Sequence, residues 1–225
     1  MSESIQLADR LSLGDLQTYL GRAARVDDGS VRLIAGSGIL AVYTAILYPR
    51  GILDETPTVL GLRTFSLADR TEFDEVVPMR SLATRVDDTL ARTVEGAVPS
   101  PFTRPHGVST VTWAGISPPR SGWLAHQPVA QPVLEDAARI GIAEVAAAVP
   151  EGTGEQLVEK VRSEVWGRPM DGLEFVPAGA GFAALSLGFL GGDEEVGVFE
   201  TGPWTRLSTR RGHVLVRRRA WSLKG

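Results

Sequence analysis

Four prolines, Pro118, Pro119, Pro128 and Pro132, fall with Gly122 inside residues 117–132, and the periodicity of the chain changes across that passage. Proline fixes φ and supplies no backbone donor, so the passage predicts a long irregular connection and the principal boundary in the chain. Ahead of it, segments 30–35, 39–48, 58–67, 75–86 and 107–117 are rich in Val, Thr and Phe and predict strands, with Gly36-Ser37-Gly38 as a hairpin turn. Pro78 places the 75–86 strand at an edge or a bulge. One helix precedes them. Ser12 is its expected N-cap, Leu13, Leu16, Leu20 and Ala24 recur at helical spacing, and Asp27-Asp28-Gly29 ends it.

Beyond the passage, the Ala-rich stretch 133–149 predicts a helix. A second runs over 153–166, with a Thr153/Gln156 capping-box spacing and a stripe of Leu157, Val158, Val161 and Val165. A third covers 180–190, weakened by Gly181 and Gly188. Segments 196–200, 204–209 and 213–219 return to strand, the last two forming a hairpin around Arg210-Arg211-Gly212. Strands in succession followed by helices in succession predict an α+β fold: a mostly antiparallel sheet, a cluster of helices in the second half and a C-terminal β-hairpin. The expected organisation is a β-rich part with an N-terminal helix (1–116), the Pro-rich connection (117–132), and a helical part plus hairpin (133–225). The helix at 133–149 is too apolar to stand exposed and the last part is short, so the two parts are expected to share one core.

The chain of 225 residues has no cysteine and only three histidines, at 106, 126 and 213. Disulfides, thiol nucleophiles and iron–sulfur clusters are excluded, and no catalytic residue, metal site or cofactor is expected. The apolar passage 39–48 is far shorter than the roughly 20 residues of a spanning helix, and the first ten residues are polar and carry Glu3 and Asp9. The expectation is a cytoplasmic protein with no membrane partner.

Charge is unevenly spread. Residues 1–200 carry 16 basic and 27 acidic side chains, net −11, whereas 201–225 carry seven basic and none acidic. Arg210, Arg211, Arg217, Arg219 and Trp221 therefore form a candidate partner-binding group for an acidic protein surface or for the acidic body of the same chain. Nucleic acid is the weaker counterpart, because the whole chain is net −4. Oligomeric state is left open.

Gly179, Gly181 and Ala184 fit the G-x-G-x-x-G/A spacing in which glycines let a backbone approach a pyrophosphate. Glu200 follows 21 positions after Gly179, where a ribose-binding carboxylate belongs. Pro177 interrupts the strand that should precede such a turn, and a small-residue helix start packed against a sheet explains the same glycines. In this passage alone, the helix, Leu187-Gly188-Phe189 and the following strand also resemble the late helix-to-strand segment of a superfamily of acetyltransferases. The passages at 111–123, 165–169 and 204–209, with Trp113, Trp123, Trp166 and Trp204, together resemble a family of actinobacterial proteins of no assigned function. That resemblance implies a bacterial cytoplasmic protein and carries over no site. The reading that follows is a non-catalytic binding or protein-interaction protein. The alternatives are a nucleotide- or CoA-binding enzyme or sensor using residues 179–184, and a nucleic-acid binder using the C-terminal hairpin.

Overall fold

The computed structural model describes residues 4–51, 53–108, 111–115, 117–150, 152–192 and 194–217. The chain divides into two units, residues 1–44 with 62–115, and residues 45–61 with 116–225. The far end of the hairpin built from β3 (Ile39–Leu47) and β4 (Thr58–Ser66) belongs to the second unit.

In the first unit β2 (Ser30–Gly36) pairs antiparallel with β3 and with β5 (Phe73–Pro78), and the short strands β1 (Ser4–Ile5) and β6 (Phe102–Thr103) pair separately. Helix α1 (Arg10–Ala23) buries Leu13, Leu16, Tyr19 and Leu20. The Tyr19 hydroxyl is fully buried, which raises its pKa, and it shares a 2.9 Å hydrogen bond with Thr44 Oγ1. The helix is capped by Asp9 and not by Ser12: the Asp9 carboxylate accepts from the Ser12 backbone N–H (2.7 Å) and hydroxyl (3.0 Å), and these bonds hold it below the usual carboxylate range. Residues 75–86 are not one strand. β5 stops at Pro78, whose fixed φ of −62° suits a helix entry, and α2 (Met79–Arg92) buries Met79, Leu82, Val86 and Thr89 at helical spacing. Within 107–117 the described residues hold a 3-10 turn (Thr112–Gly115) in place of a strand. Its Ala114 carbonyl accepts from Arg32, which is also paired bidentately with Asp74.

In the second unit the strand order runs from β4 through β12 (Gly212–Arg217), β11 (Trp204–Thr209) and β10 (Gly197–Thr201) to the two-residue β7 (Leu124–Ala125), and the pairings from β12 to β7 are antiparallel. The Pro-rich passage is thus part of the sheet edge: besides β7, His126 N donates to Val198 O (2.8 Å) and Val129 exchanges backbone bonds with Val196. Helices α3 (Gln131–Ala148), α4 (Glu155–Gly167) and α5 (Gly179–Ser186) and the small hairpin of β8 (Pro169–Met170) and β9 (Leu173–Pro177) complete the unit. The capping box at α4 does not form. Gly154 is the N-cap, and the Thr153 hydroxyl donates back to Pro150 O at 2.6 Å. Helix α3 is only partly covered: Leu134, Ala138 and Gly141 are buried, but Ile140 and Ile142 are 64% and 43% exposed, contrary to the expectation for so apolar a segment. The α+β class, the antiparallel sheet and the C-terminal hairpin stand as read from the sequence.

Candidate functional site

Residues 179–184 open helix α5 as the fingerprint spacing requires, but the space before them is filled. Gly179, Gly181 and Ala184 are buried. A Cβ on Gly181 would stand 2.6 Å from the backbone carbonyl of Leu134 in α3, and one on Gly179 would stand 3.0 Å from Trp166 O and 3.2 Å from Trp166 Cβ. Here the glycines let three helices approach one another, the geometry for which small residues at a packing contact suffice. Glu200 is engaged elsewhere: its carboxylate lies 2.8 Å from His126 Nε2 and accepts from the buried Thr205 hydroxyl at 3.3 Å, tying the strand edge at β7 to β10 and β11.

The arginines of the hairpin turn face their own chain. Arg210 lies 3.2 Å from Glu194 with 88% of its side chain exposed, a geometry worth about 0–1 kcal/mol. Arg211 donates to Leu190 O at 3.0 Å. Arg217 sits on β12 opposite Trp204. Arg219 and Trp221 lie outside the described residues.

Strand alternation then separates two faces of the second unit's sheet. Val198, Thr205, Leu207, Val214 and Val216 are buried on one; Gly212 belongs to that face too, a Cβ there meeting the Phe189 ring at 2.4 Å. The opposite face brings together Phe199, Arg206 and Leu215, which are direct cross-strand neighbours, with His213, Ser208 and the incoming Trp123. The Arg206 guanidinium carbon lies 4.6 Å from the ring centroid of Trp123 and 4.6 Å from that of Phe199, a double cation–π contact. Trp123 is anchored by its indole N–H, which donates to Pro119 O at 3.0 Å. The Phe199 ring crosses Gly197 so closely that a Cβ there would meet it at 2.9 Å. Arg206 Nε is buried without a hydrogen-bond partner, and desolvation lowers the pKa of the guanidinium. No alternation or spacing rule flags this site. Its only trace in the sequence is Trp123 inside the Pro-rich passage and one arginine in a strand otherwise read as packing.

His213 adjoins the cluster, its Nδ1 3.0 Å from Ser208 Oγ. Burial, and then repulsion from Arg206, pushes its imidazole below the ordinary value of about 6.5. The unfolded chain takes up this proton near that ordinary value, whereas the folded chain does so only at lower pH. Stability from the neutral imidazole is therefore complete above about pH 6.5 and is lost as pH falls through the folded value. The unfolding temperature is expected to drop on acidification from pH 7.5 to pH 5.5, and to drop less in His213→Gln; an equal drop in both proteins would place the acid sensitivity elsewhere.

With the geometry in place, the architecture compares with that of DNA polymerase III beta subunits. The structure of the Borrelia burgdorferi protein in complex with a natural product aligns with 94% of this chain and 65% of its own, at a TM-score of 0.50 and 7% identity. A putative beta subunit from Eubacterium rectale (98% and 67% covered, TM-score 0.49, 9% identity) and the DNA polymerase sliding clamp of Pseudomonas aeruginosa (98% and 65%, 0.45, 16%) are also similar. The likeness to the Borrelia protein is one of fold, and the chain spans less than two thirds of that protein's length. In sequence, residues 1–109 match a domain of unknown function (DUF8010) and residues 118–221 match a second (DUF8185). No curated protein matches the chain. Among the described residues no helix is long and apolar enough to cross a membrane, and no group of three or more His, Asp or Glu is placed to hold a metal ion.

Proposed function

We propose that this chain is a non-catalytic binding protein that engages a protein partner through the sheet face carrying Trp123, Phe199 and Arg206. The observation that carries the reading is a half-buried cation held against two anchored aromatic rings and without an acidic partner among the described residues, on a face formed at the strand edge. Aromatic and arginine side chains are the groups that dominate protein interfaces when they are pre-positioned. The clamp-type fold supports a role exercised through surfaces. It also favours a second reading, DNA binding, since the Borrelia protein is a subunit of a DNA polymerase. Charge weighs against that alternative: the five helices together carry eight basic and nine acidic side chains, so no described helix presents the basic stripe that phosphate binding needs, and in the basic hairpin Arg210 and Arg211 are engaged by Glu194 and the Leu190 carbonyl. The cysteine-free composition suits a reducing cytoplasm, and the Trp-containing passages support an actinobacterial origin.

Selection of phage-displayed random peptides on the folded protein tests the reading, alongside titration with duplex and single-stranded DNA at low salt and thermal-shift measurements with NAD(P), FAD, ATP and CoA. The expected result is an enriched peptide family whose binding is lost in Trp123→Ala. A salt-sensitive DNA affinity, or a nucleotide at 100 times its dissociation constant stabilising the protein by about 2.7 kcal/mol, would overturn it.

A further inference from the structure

Resting on that reading, we infer that Arg206 is the seat of a single carboxylate of the partner protein, an acidic side chain or chain terminus received end-on by the two terminal guanidinium nitrogens. Elsewhere in the chain, partly buried arginines close on acids of their own. Arg32, Arg63 and Arg104, with side chains 15%, 19% and 11% exposed, pair with Asp74, Asp15 and Glu75. Arg206 makes no ion pair among the described residues. The nearest acid along its neighbouring strand, Glu200, lies opposite Thr205 in the register and is bound to His126. A desolvated charge left unpaired costs stability, and a site kept at that cost calls for an explanation outside the chain's own packing.

Geometry defines the direction of approach. With Nε sealed, a ligand meets only the Nη1 and Nη2 end of the fork, which matches the two oxygens of a carboxylate in parallel hydrogen bonds. The rings that hold the fork are fixed in advance, Trp123 by its bond to Pro119 and Phe199 by the room Gly197 leaves, so little order has to be imposed on binding. Their faces also offer apolar cover to the methylenes of an Asp or Glu side chain. Charge balance favours a carboxylate over a phosphate. The fork supplies one positive charge beside an imidazole whose burial favours its neutral form, which suits a monoanion, and the net negative charge of residues 1–200 opposes a phosphodiester polyanion.

The test is an NMR titration of the full chain that follows the Arg206 Nε–H and Trp123 indole N–H signals. The probes are N-acetyl-glutamate amide, its glutamine counterpart, inorganic phosphate, and a peptide from the selection above in acid and in amide-substituted form. Saturable shifts of both signals are expected with the acid forms and not with the amides. Arg206→Met should weaken the acid peptide by about tenfold to a hundredfold, the loss of one charge-assisted pair, and Arg206→Lys should restore part of it. Acid and amide forms binding alike, acid binding that moves neither signal, or tighter binding of phosphate would each overturn the carboxylate assignment while leaving a selected peptide as support for the interaction reading. If no peptide is selected and no acid probe binds, both fall. Because the titration is read on the unmodified protein, the outcome does not depend on Arg206→Met folding.

Discussion

Trp166→Ala is expected to lower the unfolding free energy by about 3–5 kcal/mol, the range for removing a large aromatic side chain from a close-packed interior. Trp166 is 2% exposed, and its ring stacks on Phe182 with centroids 4.4 Å apart. The same ring fills the space that a side chain at Gly141 would occupy, since a Cβ there would come within 2.1 Å of it. Gly141 gives up about 1 kcal/mol of helix propensity relative to Ala in the interior of α3, and the seated indole offsets that. Truncation therefore leaves a void bordered by α3, α4 and α5 that small residues cannot close. Urea denaturation followed by fluorescence and far-UV circular dichroism measures the effect. A loss below about 1 kcal/mol would mean that the helices collapse onto one another, and that Gly141 is not there for the ring.

Ending the chain before Trp204 is expected to abolish folding of the second unit. Strands β11 and β12 carry Trp204, Leu207, Val214, Leu215 and Val216, each no more than 3% exposed, and each large apolar side chain contributes roughly 1.5–3 kcal/mol on burial. Their sum is comparable with the whole stability of an ordinary domain, about 5–15 kcal/mol. Removal would also leave β10 and β4 with unpaired edges and the sheet side of α5 without its cover. Loss of cooperative unfolding and of dispersed amide resonances is the expected readout; a truncated protein that melts like the full chain would show the hairpin to be an appendage.

The hairpins were legible because their signals are local. The 36–38 turn between two β-rich runs and the Arg210-Arg211-Gly212 turn each predict the strands that flank them, and β2, β3, β11 and β12 follow. The N-terminal helix was legible in its apolar spacing but not in its cap, since Asp9 and Ser12 are both good caps and only the bonds between them show which one serves. Helix α2 was misread as the continuation of a strand because the alternation of Glu75 to Val77 runs directly into the helical spacing of Met79, Leu82 and Val86 at Pro78, a residue that suits both the end of a strand and the start of a helix. The short strands β1, β6, β7, β8 and β9 have too few residues to show any period, and they exist because a partner in the fold supplies their hydrogen bonds.

For function, the chain by itself determined its class, an α+β fold without thiol chemistry, and the asymmetry of its charge. Those properties depend on composition and on periods of two and 3.6 residues, which are written in consecutive positions. Tertiary structure decided what the conspicuous residues do. Gly179 and Gly181 satisfy a phosphate-binding spacing, yet what approaches them is the Leu134 carbonyl and Trp166 of the chain's own helices, because a glycine records only that something comes close and not what. Arg206 stood in the sequence as one arginine in a strand, and it becomes a partly buried cation between two aromatic rings only when β11 is laid beside β10 and the Pro-rich passage folds Trp123 over it. Pairing and desolvation are relations between residues far apart in sequence, and they take their values from the fold.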